Sequence, residues 1–140
     1  MKLSRTVEYA VQASLALAEI GGEEPVPCSR LAAMGKMPER FLLQILRTLV
    51  NHDILKSTRG VEGGYRLSRP STKISLLQVI EAVEGPMMGG LTAESSVVGP
   101  HGGQLDAAVG RITAGIRREL NDISLASLLD EKNSGRPPAR

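Results

Sequence analysis

Tryptophan is absent, and Tyr9, Phe41 and Tyr65 are the only aromatic residues in a chain of 140. A core must then be built from Leu, Ile, Val, Ala and Met, which favours helices over a β-sandwich. Cysteine occurs once, at Cys28, which excludes an internal disulfide framework. It equally excludes a thiolate cage for zinc or an iron-sulfur cluster within one chain. No run approaches the roughly eighteen apolar residues of a membrane span. The N-terminus also lacks a charged region followed by an apolar stretch and a cleavage site, so the expected location is cytoplasmic, with no membrane partner. A Ser/His/Asp set, a pair of carboxylates suited to a cleft and a metal-ligand cluster are all missing. No catalytic residue, metal ligand or cofactor is therefore assigned, and the chain does not read as an enzyme.

What is present is a single domain's worth of residues, 41% apolar and 23% charged. The net charge of +2 is unevenly spread: residues 1–73 carry eleven Lys and Arg against seven Asp and Glu, and residues 74–140 six against eight. Within the basic half, Lys56, Arg59, Arg66, Arg69 and Lys73 face Glu62 alone across residues 56–73. Such a stripe suits a polyanion, because each phosphate neutralised releases condensed counterions; a solvated surface hairpin is the alternative.

Val7, Ala10, Val11, Ala13, Leu17 and Ala18 recur at helical intervals over 4–20, and Gly21-Gly22 follows as a terminator. Cys28 to Met34 reads as a short helix with Leu31 and Met34 on one side, closed by Gly35. Pro38 suits the first turn of the next helix, which runs to about Val50. There Leu42, Ile45, Leu46, Leu49 and Val50 form an apolar stripe, while Arg40, Gln44, Arg47 and Asn51 make one polar face. Two short helices joined by a Gly-containing turn are the pattern of a helix-turn-helix, in which the second helix enters the DNA major groove.

Runs 54–58 and 64–68 are β-compatible and flank a Gly-rich turn, which predicts a hairpin wing with Arg59 where strand gives way to turn. A nucleotide-cradling loop is discounted, since such a loop joins a strand to a helix and ends in Gly-Lys-Ser/Thr. Ser75 and Gln78 form a capping box, with Ile74 placed to staple onto Val79; the helix it opens buries Leu76, Leu77, Val79, Ile80 and Val83 and stops at Gly85-Pro86. Periodicity dissolves over 87–104, a long loop, and returns at Leu105, Val109, Ile112, Ile116, Leu120 and Ile123, close to a coiled-coil seam. Gly110 and Gly115 each weaken that helix by about 1 kcal/mol, so packing must compensate, either onto the same chain's core or, more naturally for a stripe remote from the helix-turn-helix, across a two-fold interface. Ser124 caps a last short helix through Asp130, and 131–140 is a frayed tail.

Met1-Lys2-Leu3-Ser4, Tyr9-Ala10-Val11, Gly60 with Gly63-Gly64-Tyr65-Arg66-Leu67, Arg69-Pro70, and Val79 to Pro86 together resemble the IscR/NsrR-type family of bacterial winged helix-turn-helix transcription regulators. The resemblance implies a mainly α fold with a small β-hairpin wing: a winged helix-turn-helix over 1–86, a loop at 87–104, and a dimerisation helix with a short last helix over 105–130. It further implies a homodimer, most simply a repressor, on a pseudo-palindromic operator in double-stranded DNA. Arg40, Phe41 and Gln44 then fall where the recognition helix meets DNA, and Arg59 with Gly60 where the wing does. Gln44 suits adenine, Arg40 guanine or a phosphate, and Arg59 a narrow minor groove. Phe41 either touches a thymine methyl or anchors its helix on the core. Arg47, Lys56 and Arg66 read as phosphate neutralisers, and Leu105, Val109, Ile112, Ile116 and Leu120 as the dimer seam.

Three departures limit the transfer. Many members hold an iron-sulfur cluster through three cysteines at the position of 87–104, where this chain has none. Val61 and Glu62 replace a proline and a glycine of the wing, and Asp53 stands where the family often has glycine, a place Asp tolerates in a left-handed conformation. Glu62 and the weak net charge motivate a rival, a dimeric protein-interaction module with little DNA affinity. An unidentified effector acting through 87–104 is left open. Cys28, at a helix start, is either a redox sensor with a lowered pKa or, the favoured reading, a small core residue. His52 and His101 lack a second ligand at metal-binding spacing.

Overall fold

The Ser4 hydroxyl accepts the Val7 backbone N–H at 3.2 Å and opens α1 (Arg5–Ile20), in which Val7, Ala10, Ala13, Ser14 and Leu17 are buried. Burial of Ser14 is tolerated because its hydroxyl donates to the Ala10 carbonyl at 2.8 Å. The computed structural model describes residues 3–87 and 100–133. After α1 come α2 (Cys28–Gly35), α3 (Glu39–Asn51), β1 (Leu55–Thr58), β2 (Gly64–Leu67), a 3-10 turn at Ser71–Lys73, α4 (Leu76–Glu84), α5 (Gly102–Asp122) and α6 (Leu125–Asn133). The fold is mainly helical with one antiparallel hairpin, as the patterning predicts.

The turn between α2 and α3 differs from expectation in two details. Gly35 is the last helical residue, and Lys36, at φ 53, takes the left-handed position. The Lys36 and Met37 N–H groups close the helix on Ala33 and Ala32, so the reversal falls one residue later. Pro38 stands just outside α3 as its cap residue, its carbonyl accepting the Leu42 N–H at 2.9 Å. Met34, expected to share the inward side of α2 with Leu31, is exposed, whereas Leu31 is buried. Leu42, Ile45, Leu46 and Leu49 of α3 are buried and Val50 is half-buried, so the apolar stripe faces the core.

The hairpin pairs Leu55 with Leu67, Lys56 with Arg66, Ser57 with Tyr65 and Thr58 with Gly64. Its inner strand gains a further neighbour. Val26, from the connection between α1 and α2, exchanges two backbone hydrogen bonds of 2.8 Å with Tyr65, which ties the wing to the body.

Ser75 and Gln78 form the reciprocal capping box, and Ile74 and Val79 are both fully buried beside it. Leu77, Val79, Ile80 and Ala82 supply the buried face of α4, with Leu76 and Val83 only half-buried. α5 begins at Gly102, three residues before the apolar period resumes, because the His101 carbonyl already accepts the Leu105 N–H. The rest of the expected 87–104 loop, residues 88–99, lies outside the described residues, as does the tail from 134; residues 131–133 continue α6. Ser124 caps α6 through the Ser127 N–H at 3.1 Å.

Ile123 and Leu76 are joined by a 2.8 Å backbone bond, and Leu125 and Ile74 by one of 2.9 Å. Since Arg117 also pairs with Glu81, α5 runs antiparallel to α4. With 21 residues against 9, its N-terminal half must extend past α4. Leu125 then returns to the common core, fully buried.

Candidate nucleic-acid interface

At about 100° per residue, Arg40, Gln44, Arg47 and Asn51 fall within roughly 60° of one another around α3. All four are exposed, opposite the buried leucines. Phe41 flanks this row at 40% exposure, its ring edge-on to Tyr9 with centroids 5.8 Å apart. It thus anchors α3 against α1 while leaving part of its ring in solvent. Thr48 is absorbed locally, its hydroxyl donating to the Gln44 carbonyl at 3.1 Å.

Arg59 and Gly60 open the hairpin turn, and both are exposed. Beyond them Val61, at 106% exposure, and Glu62 project from the tip. Arg47 and Asn51 from α3 and Ser57, Arg59 and Gly60 from the wing line one cleft of about 470 Å³. The structure therefore brings Arg47, Arg59 and Gly60 of the expected set together, with Arg40 and Gln44 on the same ridge of α3. Lys56 and Arg66 are placed differently. They face each other directly across the strands, on the side away from Ser57 and Tyr65, because neighbouring strand residues point to opposite faces. Arg66 borders a separate groove beneath the end of α1, shared with Glu23 and Glu24. Like charges directly opposite each other disfavour a hairpin, so this pair costs the wing stability unless an anion lies nearby.

The stripe of five cations contains one that is committed internally. Arg69 donates to the Asp53 carbonyl at 2.7 Å, the Lys73 carbonyl at 3.0 Å, the Gln78 side-chain oxygen at 3.0 Å and the Ser68 hydroxyl at 3.1 Å. Asp53, left-handed at φ 60 as its place in the turn requires, joins α3 to β1. Its carbonyl also accepts the Ser68 hydroxyl at 2.5 Å. One guanidinium therefore clamps the exit of α3, the end of the wing and the capping box of α4. Composition alone hides this role, because a charge count does not distinguish a solvated arginine from one that holds four acceptors. Arg69→Ala is expected to lower unfolding stability by about 2 kcal/mol, the cost of stranding several acceptors of a charged donor. Denaturant unfolding checks this, and the salt dependence of duplex binding should stay unchanged, since Arg69 is directed away from the cleft. Arg69→Lys should not restore stability, because an ammonium lacks the planar fork that reaches four acceptors.

Cys28 opens α2, half-buried, with its thiol donating to the Glu39 carbonyl at 3.7 Å. Burial, and then the Glu39 carboxylate, push the thiol above its ordinary value. Both effects act against the lowered pKa that a redox sensor needs. The favoured alternative holds in part, since Cys28 packs on the core's edge but also forms one wall of the cleft. Burial likewise raises the Tyr65 hydroxyl, and the neighbouring Cys28 adds to this while Arg47 opposes it.

A helix-turn-helix with an exposed polar second helix, followed by a hairpin that shares a cleft with it, defines the winged helix-turn-helix class of transcription regulators. Residues 3–131 match the model of the Rrf2 family, described as iron-dependent transcriptional regulators, and the chain belongs to that family. It is 40% identical over 87 residues to an HTH-type transcriptional regulator of Mycobacterium tuberculosis, a match covering 62% of this chain and 54% of that protein. The chain thus spans about half the length of that relative. Over 143 residues it is 29% identical to the HTH-type transcriptional regulator IscR of Cereibacter sphaeroides, covering 98% of this chain and 91% of the other. Among solved structures, CymR, the global cysteine regulator of B. subtilis, superposes with a TM-score of 0.75 at 26% identity, covering 91% of this chain and 95% of that one. T. potens IscR does so with a TM-score of 0.75 at 26% identity, covering 100% and 94%. These relatives are transcriptional regulators rather than enzymes.

The family description raises iron, and the donor set does not fit a thiolate-held cluster. The chain has one cysteine, and it sits on the cleft between α3 and the wing with a raised pKa. Among the described residues no three His, Cys, Asp or Glu side chains are grouped to hold a metal, and His52 and His101 are exposed at helix ends. No helix among those residues is long and apolar enough to cross a membrane.

Sequence reasoning missed Arg69, the Val26 bridge, and the network joining α4 to α5. In the last, Glu81 pairs with Arg117 and accepts the Met87 N–H at 2.5 Å, while Arg117 donates to the Met87 carbonyl at 3.1 Å. No spacing rule identifies the partners of Arg117, because Glu81 and Met87 lie thirty or more residues away from it.

Proposed function

We propose that the chain is a homodimeric, cytoplasmic repressor that binds a pseudo-palindromic operator in double-stranded DNA without an iron-sulfur cluster. Residues 1–86 read the duplex, α5 pairs with its copy, and the 87–104 segment, whose start at Met87 is held by Glu81 and Arg117, is the place left for an effector. The observation that carries this reading is the convergence of the exposed polar row of α3 and Arg59 of the wing on the two sides of one cleft. In a dimer the two α3 helices would enter successive major grooves roughly 34 Å apart. Gln44 and Arg40 would read base edges, Arg59 with Gly60 would enter the minor groove, and Phe41 would lie against a thymine methyl. Arg47, Lys56 and Arg66 would neutralise phosphates, which also relieves the Lys56–Arg66 opposition.

Selection from a pool of randomised duplexes tests this. A consensus with two-fold symmetry is expected, and enrichment of no sequence overturns the reading. On a selected duplex, Arg59→Ala should weaken binding about tenfold and make the salt dependence shallower by about one counterion. The exposed Glu62 at the wing tip favours the rival interaction module, for which Arg59→Ala would change nothing.

A further inference from the structure

We infer that Glu62 makes the wing a reader of guanine. Its carboxylate accepts from the 2-amino group that guanine presents in the minor groove, so each half of the operator carries a G·C pair beneath the wing tip. The inference rests on the proposed DNA-binding reading and deepens it, by adding a specificity-determining residue and the base it selects.

The turn decides which side chains lead the wing. The Gly63 N–H donates to the Gly60 carbonyl at 3.0 Å, closing a four-residue turn with Val61 and Glu62 at its two corners. Neither corner has a positive φ, so both positions carry side chains without strain. Gly63 has no such room, because a Cβ there would overlap the Thr58 carbonyl oxygen. The hairpin end is thus drawn tight behind its corners, and Val61, at 106% exposure, and the exposed Glu62 are its leading groups. No ion pair or hydrogen bond among the described residues engages the Glu62 carboxylate.

A carboxylate can only accept hydrogen bonds. The minor-groove floor offers acceptors at every base pair and one kind of donor, the guanine 2-amino group. Over A·T pairs Glu62 would face acceptors alone, and in an A-tract it would also meet the narrow groove's enhanced negative potential. Over a G·C pair it finds its single match. Val61 has no polar side-chain atom and does not compete for that donor. Arg59, exposed at the start of the turn, attracts the flanking phosphates and offsets the repulsion that a carboxylate at the tip adds. An arginine alone favours a narrow A·T groove; Glu62 beside it reverses that preference at the pair under the tip.

Inosine is guanine without the 2-amino group, and its pair with cytosine leaves the major-groove face unchanged. Inosine is placed at each guanine of a selected duplex in turn, and binding of the unaltered full-length chain and of Glu62→Ala is measured by fluorescence anisotropy. The unaltered chain is expected to lose about tenfold at one symmetry-related pair of positions. Glu62→Ala should bind the guanine and inosine duplexes equally there. Replacing that pair by A·T should cost the unaltered chain as much, and 2,6-diaminopurine in place of the adenine, which returns the amino group, should recover most of the loss. The scan itself needs no altered protein, so it decides even if the variant folds poorly. A consensus without guanine, insensitivity to inosine at every guanine, or a loss that persists in Glu62→Ala each overturns the inference and leaves DNA binding standing. An equal gain by Glu62→Ala on all duplexes overturns it too, since Glu62 then only repels phosphate. Enrichment of no duplex overturns both the inference and the reading beneath it, in favour of the interaction module.

Discussion

On the proposed pairing of α5 with its copy, Ile112→Glu is expected to leave the subunit folded, yield monomers, and weaken duplex binding about a hundredfold or more. Ile112 is 63% exposed in the single chain and Leu105 43%. They lie in the half of α5 that passes beyond α4, with Val109, Ile116 and Leu120 half-buried along the same seam. Folding of one subunit therefore loses little when this side chain becomes charged. A two-fold interface uses the same patch twice, so one substitution removes two buried isoleucines, each contributing roughly 2 kcal/mol, and opposes two carboxylates. Separated subunits then bind half-sites without the effective concentration that a linked pair supplies, which typically contributes 10²- to 10⁴-fold. Sedimentation should show a single-subunit mass, and circular dichroism an unchanged helix content. A variant that still sediments as a dimer would place the interface elsewhere.

This division of labour explains which parts of the molecule were legible in the chain and which were not. Ser75 and Gln78 announce α4 because a capping box is a local contract between residues three apart. The stripe of α3 was equally readable, since burial of one helical face repeats at fixed intervals, whereas the apolar period of α5 falls on a helix whose stripe is half-buried or exposed in the single chain. The hairpin showed itself through alternating β-compatible residues around glycines. Even the left-handed Asp53 could be anticipated, because few non-glycine residues tolerate that conformation.

Long-range commitments stayed hidden. Arg69 counts as one more cation until its four acceptors, spread over residues 53–78, are in place. Arg66 joins the same stripe by charge but lies on the far face of the wing from Arg47, which only the strand register reveals. The Glu-Glu-Pro-Val-Pro connection carries no strand signal beyond Val26, yet Val26 forms the bridge that docks the hairpin. Of the candidate site, the α3 face and Arg59 were thus readable from pattern and resemblance. The uncharged lining of the cleft, Ser57 and Tyr65 above all, needed the fold, because neither residue type is distinctive and their opposition depends on register.

That docking makes Gly64→Ala a strongly damaging small substitution in the wing. Gly64 adopts φ 152, and a Cβ built there would lie 2.4 Å from both the carbonyl carbon and oxygen of Val26 and 2.7 Å from the Pro27 nitrogen. These are backbone atoms, so no side chain can rotate away, and the hairpin must separate from the body. The strained backbone and the forced overlap together should cost about 3 kcal/mol. Gly60→Ala is the matched control: its φ of 115 is also unusual, but nothing lies within 4 Å of the added methyl. It should cost only about 1 kcal/mol, the conformational part alone. Thermal unfolding separates the two variants, and duplex affinity measured below both transitions tests the consequence. If wing and α3 must hold a fixed spacing to straddle one strand, Gly64→Ala should lose affinity for every duplex even while folded. Retained affinity in a folded Gly64→Ala chain would mean that the wing binds as an independent arm, and that the spacing set by Val26 and Tyr65 is irrelevant to recognition.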